Sequence, residues 1–260
     1  MEYSKIDFIS DPAPFQEKER LYLEVRQQEA RVLADEAVKN LPTTSPSSIY
    51  AREWAWRKRS LARFLSHCER LAASRDTPFR LLDLGCGNGW FANRLAENPK
   101  WEVWAVDVNE AELAQGARLF GRENLKFAYA DILSLSPLSD APRTHLLAAF
   151  DVVVLAASVQ YFPDLAHLVF SLKKHLKPNG EIHLLDSPFY KNEKEQAAAQ
   201  RRTLEYYSKV GVPRMAAFYH HHLWSTAVGL EGKNLNNRLK IKFLQKTKWL
   251  APFPWVVFQK

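Results

Sequence analysis

Five runs of apolar residues, "RLLDLG", "WEVWAVDV", "LKFAYADI", "FDVVVLAAS" and "GEIHLLDS", alternate with helix-favouring stretches between residues 80 and 187 and constrain this chain more than any other feature. Strands that are apolar at consecutive rather than alternate positions are buried on both faces, as happens when helices cover both sides of a parallel sheet. The pattern predicts a doubly wound α/β fold with a mostly parallel seven-stranded sheet. Two closing strands, "LKIKFLQ" and "PFPWVVFQK", are close enough in sequence to form an antiparallel pair at its edge.

Ahead of the sheet, residues 1–76 read as a helical N-terminal extension. One helix is expected from Phe15 to Leu41, with Leu21, Val25, Val32 and Leu33 near helical spacing, ending at "LPTTSPSS". A second is expected from about Tyr50 to Ala73, with Trp54, Leu61, Leu65 and Leu71 on its apolar side. Residues 77–260 read as the main domain, interrupted at about 188–237 by a helical, aromatic-rich cap.

With 260 residues, 47% of them hydrophobic, the chain is long enough for one sizeable core. Cys68 and Cys86 form neither a disulfide framework nor a metal-ligand cluster, and no metal is expected. "MEYSKIDFISDPAPF" has acids and prolines where a signal peptide needs a basic start and an apolar stretch, so a cytoplasmic location is expected. The most apolar stretch, "HLLAAFDVVVLAASV", is interrupted by Asp151 and falls short of the roughly 20 residues of a membrane-spanning helix. The net charge of +7 comes largely from residues 52–75 and 233–260. Without an aromatic-interleaved RNA motif, these read as solvated faces before a nucleic-acid footprint.

In "LLDLGCGNGWFANRL", Gly85, Gly87 and Gly89 follow the first run of the sheet. Ligands of doubly wound sheets lie beyond the carboxyl ends of the strands, and glycine there admits positive φ and close approach. The GxGxG spacing departs from the dinucleotide GxGxxG. Asp83 just before the loop would repel a pyrophosphate and suit an ammonium or sulfonium charge. Asp107 ends the second run, where a carboxylate accepts both hydroxyls of an adenosine ribose. A nucleoside with a cationic tail and no phosphates satisfies all three.

The segments "LLDLGCGNGWFANRLAE", "VDVNEAELAQGAR", "ADIL" and "FDVVVLAASVQYFPD" together resemble the class I S-adenosylmethionine-dependent methyltransferase superfamily, of the broad small-molecule type, over about residues 79–188. The resemblance implies a Rossmann-like methyltransferase fold and S-adenosylmethionine as cofactor. It further implies that Asp83, Gly85, Gly87 and Gly89 frame the methionine moiety, with backbone from Cys86 and Asn88. Asp107 would hold the ribose, Val108 and Ile132 would lie by the adenine, and Asp131 would accept its amino group. Ala156 and Ala157 would contact the cofactor through backbone.

Many relatives carry a Glu-His pair after the fourth strand, where this chain has Gln160 and Tyr161. Tyr161, His221 and His222 are therefore the catalytic candidates, although adjacent histidines on a helix point in different directions. Tyr50 and Arg57, ahead of the first strand, are candidates for the methionine carboxylate. The expected activity is in-line methyl transfer to O, N or C of a small molecule. The alternatives are an RNA or protein acceptor, or a non-catalytic cofactor-binding module; the oligomeric state is left open.

Overall fold

The computed structural model describes residues 5–73, 78–135, 149–236, 246 and 249–260. Strand β1 (Ile6–Phe8) precedes three helices, α1 (Gln16–Gln28), α2 (Asp35–Asn40) and α3 (Ala51–Ala72). The alternating core follows as β2 (Phe79–Leu84), α4 (Trp90–Leu95), β3 (Trp101–Asp107), α5 (Glu110–Leu119), β4 (Leu125–Tyr129), β5 (Phe150–Ala156), α6 (Leu165–His175) and β6 (Leu176–Leu185). The cap comprises β7 (Phe189–Tyr190), α7 (Glu193–Lys209), a 3-10 turn (Pro213–Phe218), β8 (His222–Leu223) and α8 (Trp224–Gly229). Short strands β9 (Lys233–Asn234) and β10 (Val256–Gln259) complete the described elements.

The main sheet has the order β1-β4-β3-β2-β5-β6-β10-β9. Its pairs are parallel except β6–β10 and β10–β9. The doubly wound expectation is met; among the described residues the sheet has eight strands, two of them not expected: β9 at its far edge, and β1, three residues inside the segment read as helical, which pairs with β4. The expected strand at "LKIKFLQ" lies outside the described residues, and the described antiparallel partner of β10 is Lys233–Asn234.

Apolar runs are continuous because the sheet is covered twice. Neighbours Leu81 and Leu82 of β2 are both fully buried but belong to opposite cores. One core joins Phe64 and Cys68 of α3 to Phe91, Phe127 and Trp255; the other joins Trp104, Phe150 and Ile182 to Leu168 and Leu172 of α6.

The helix expected over 15–41 is two helices. Ala30 takes a left-handed φ of 53°, and the Arg31 N–H donates to the Arg26 carbonyl at 2.7 Å, closing α1 with a reversal. The Arg31 guanidinium then grips Glu53 of α3 at 2.6 Å. Gln115 donates to the Leu33 carbonyl at 2.9 Å and holds the turned chain against α5. Val32, expected on the apolar side, is exposed. A third core results: Leu21 and Val25 of α1 pack with Tyr207, Val212 and Met215 of the cap, so the N-terminal segment and the cap close over the sheet together.

Candidate active site

The strand order reverses between β2 and β5, and the loops that follow these two strands almost touch. A Cβ on Gly85 would lie 2.5 Å from the Cβ of Ser158, whose hydroxyl donates to the Leu84 carbonyl at 2.8 Å. Gly85, Gly87 and Gly89 have φ of 72°, 55° and 71°, a region that L side chains rarely adopt. Their surroundings divide their roles. A Cβ on Gly89 would strike the Phe127 ring at 2.5 Å, within the core, whereas one on Gly87 would meet only the flexible end of Glu112, 2.9 Å away.

Asp107 ties this loop to the end of β3. Its carboxylate accepts from the Gly87 N–H at 2.7 Å, from Val108 at 2.7 Å and from Asn109 at 3.0 Å. Even so, burial pushes its pKa up, against the pull of those three N–H groups and of Lys18.

Two cavities meet at the loop. The smaller, about 250 Å³, is lined by Asp107, Val108, Asp131, Ile132, Phe162 and Lys18 among others. The larger, about 590 Å³, runs from Cys86, Asn88, Ala156 and Ala157 to the cap, passing Tyr50 and Arg57. Gly85, Gly87, Tyr22, Glu112 and Tyr161 border both. Tyr22 and Tyr161 stand edge to face with ring centroids 5.6 Å apart, and Lys18 donates to the Tyr161 carbonyl at 3.1 Å. Helix α1 therefore roofs the junction.

Three groups here were absent from the sequence-based expectation. Lys18 faces Asp107 and Asp131, whose charges partly offset the effect of burial on its pKa. Glu112 is raised to about 7 by burial and the charge of Asp107, opposed by Arg26 and by a hydrogen bond with Tyr22. Arg26 has a buried Nε with no partner among the described residues, and its nearest acid, Glu29, is 3.9 Å away. No motif marks Lys18 or Arg26, which reach the site only because α1 folds back over it; Glu112 lies on α5, within the segment "VDVNEAELAQGAR".

Of the expected residues, Asp83, Gly89, His221 and His222 line neither cavity. Asp83 is 1% exposed beneath the loop; its Oδ2 has no partner among the described residues, and burial with the Asp107 charge lifts its pKa to about 8. His221 Nε2 shares a hydrogen bond with Thr203 at 2.9 Å and His222 Nε2 meets the Val159 carbonyl at 3.2 Å, tying β8 to its surroundings. Burial depresses both imidazole pKa values. Tyr50 and Arg57 line the large cavity but are engaged: the Tyr50 hydroxyl donates to the Glu29 carbonyl at 2.6 Å, and Arg57 pairs with Glu53 at 2.7 Å.

Among the described residues, His67, Glu181 and His183 bring potential metal ligands within 4.8 Å of one another. Trp255 Nε1–H donates to His183 Nδ1 at 2.9 Å, so the neutral imidazole carries its proton on Nε2, the atom facing Glu181 at 3.0 Å. That arrangement uses the nitrogen lone pair a metal would need.

Asp83 has a measurable consequence. Its carboxyl keeps, when folded, a proton that the unfolded chain releases near pH 4, so its contribution to stability falls as pH rises from about 4 to about 8. Asp83→Asn is expected to remove that slope, on the order of 5 kcal/mol across the window. Urea denaturation at pH 5 and pH 8 measures it, and equal slopes for the two proteins would show that Asp83 ionises normally.

Residues 82–182 match the family described as "Methyltransferase domain". Among curated proteins, the malonyl-[acyl-carrier protein] O-methyltransferase of Halalkalibacterium halodurans is 27% identical over 154 residues, 54% of this chain and 55% of its own length. The trans-aconitate 2-methyltransferase of Deinococcus radiodurans is 34% identical over 105 residues, 40% of this chain and 36% of its own. The chain thus spans about half or less of these relatives. Among solved structures, the YcgJ protein of Bacillus subtilis superimposes with a TM-score of 0.50 at 18% identity, covering 68% of this chain and 70% of that one, a likeness of fold. With the glycine loop, the strand-end acids and this sheet order, residues 82–182 are a methyltransferase domain, and the chain is similar to class I S-adenosylmethionine-dependent methyltransferases.

Proposed function

We propose that this chain transfers the methyl group of S-adenosylmethionine in line to a small-molecule acceptor held in the larger cavity beneath the cap. What supports this most is the pair of cavities joined at Gly85 and Gly87, with the Asp107 carboxylate in one and the Arg26 guanidinium in the other. The donor set fits such a ligand: Gly87 keeps clear a space that a Cβ would fill, and Asp83 Oδ2 and Arg26 Nε are buried polar atoms without partners among the described residues.

When bound, S-adenosylmethionine supplies a methyl group on a sulfonium whose departure as a neutral thioether needs no further activation. The chain's task is alignment and exclusion of water. In this reading Asp107 accepts the ribose hydroxyls, Asp131 the adenine amino group, and Val108 and Ile132 flank the base. The backbone of Gly85 to Asn88, with Ala156 and Ala157, borders the methionine moiety. Asp83, protonated near neutral pH in the unliganded protein, would become a counter-charge from beneath the loop once the bound sulfonium favours its ionised form, and Arg26 takes the methionine carboxylate, the role expected of Tyr50 or Arg57. Tyr161 stands beside the reacting centre, while His221 and His222 hold the cap in place. Residues 77–260 would form the methyltransferase domain, and residues 1–76 its extension and roof. Among the described residues no helix is long and apolar enough to cross a membrane.

Calorimetry tests the assignment. S-adenosylhomocysteine and 5′-methylthioadenosine, which lacks the amino-acid end, should both bind the wild type. Arg26→Gln should weaken the first about tenfold and leave the second unchanged. Equal weakening of both would move Arg26 away from the carboxylate, and a wild type that binds neither would overturn the cofactor reading.

A further inference from the structure

We propose that the acceptor is a carboxylate, bound by Arg202 of α7 and methylated on oxygen to a methyl ester; this rests on the cofactor reading above. The case lies in which polar groups of the larger cavity the protein has left unused. Arg202 lines it and makes no ion pair among the described residues. Tyr190, Tyr207 and Tyr219 line the same cavity, and their hydroxyls have no hydrogen-bond partner among the described residues. Burial raises the pKa of all three, so at neutral pH they are proton donors. Tyr219 is near the reacting end, its ring 5.9 Å from that of Tyr161 and edge on to it.

The acids of the same wall are engaged. Glu53 holds Arg31 and Arg57, Glu29 accepts from Tyr206 and faces Arg31, Asp186 accepts from Ser60 at 2.6 Å, and Glu112, where the two cavities meet, shares a hydrogen bond with Tyr22 and faces Arg26. The surplus is one cation and several hydroxyl donors, which complements an anion. Neither His221 nor His222 turns a free Nε2 to this space. An amine or a phenol would need a base to take its proton, whereas a carboxylate is already a nucleophile.

The balance follows. A carboxylate oxygen forms the new bond to the methyl carbon as the carbon–sulfur bond breaks, and the electron pair of that bond stays on sulfur. The negative acceptor and the positive sulfonium become two neutral products, and no proton is released. Methylation of an ammonium or a phenol would release one per turnover.

Phenylacetate, phenylacetamide and phenethylamine, titrated into protein saturated with S-adenosylhomocysteine, separate the cases. Phenylacetate should bind at least about tenfold more tightly than the other two. Arg202→Gln should abolish that preference without changing affinity for S-adenosylhomocysteine, and Arg202→Lys should restore part of it. With S-adenosylmethionine carrying a labelled methyl, phenylacetate should yield label released by mild alkali as methanol, without proton release. Tighter binding of the amine or amide, transfer into an alkali-stable bond, or one proton released per turnover would overturn the carboxylate assignment. Failure of S-adenosylhomocysteine to bind at the outset would instead overturn the cofactor reading beneath it.

Discussion

An Asp107→Ala protein is expected to fold and to bind S-adenosylhomocysteine at least about a hundredfold more weakly than the wild type, a loss of about 3 kcal/mol. The carboxylate has two tasks at once. It accepts from the N–H groups of Gly87, Val108 and Asn109, which sets the loop against the end of β3, and it faces the smaller cavity, where the ribose hydroxyls are proposed to lie. Because burial raises its pKa despite those bonds, the folded protein gains little from the ionised group when nothing is bound. The variant should therefore lose affinity more than stability. Asp107→Asn, which keeps one acceptor oxygen, should fall between. Calorimetry on samples matched by urea denaturation measures both quantities, and an Asp107→Ala protein within threefold of wild-type affinity would remove Asp107 from the binding site.

Gly89→Ala reverses that profile. The new Cβ would meet a left-handed φ of 71° and the Phe127 ring at 2.5 Å, and that ring is fully buried in the core shared with Leu113 and Phe91. The backbone strain of about 1–2 kcal/mol adds to an overpacking cost of about 1–3 kcal/mol, so a loss of roughly 3 kcal/mol is expected. Gly87→Ala meets similar strain at a φ of 55° but only the mobile end of Glu112, and should cost clearly less stability. Urea midpoints for the two alanine variants give the comparison directly. A Gly89→Ala protein as stable as the wild type would mean that Phe127 moves aside freely.

The double winding was legible because burial on both faces leaves runs apolar at consecutive positions, and β2, β3 and β5 carry such runs. Strand β1 was not: three residues, Ile6 to Phe8, are too few to set a period, and their pairing partner is β4, more than a hundred residues later. The break after α1 was also hidden, since Ala30 has no turn signature and the reversal is held by Arg31 reaching Glu53 and by Gln115 reaching Leu33.

Within the site, the sequence by itself determined the groups that a strand end and its following loop place automatically: Asp83, the three glycines, Asp107 and Asp131. Their positions follow from local backbone geometry once the strands form. Only the tertiary structure decided what roofs them. Tyr22, Arg26 and Lys18 reach the cavities because Leu21 and Val25 of α1 pack on Tyr207 and Met215 of the cap, a contact between segments nearly two hundred residues apart. A side chain's neighbours across such a distance depend on which apolar faces find each other, and no local spacing records that.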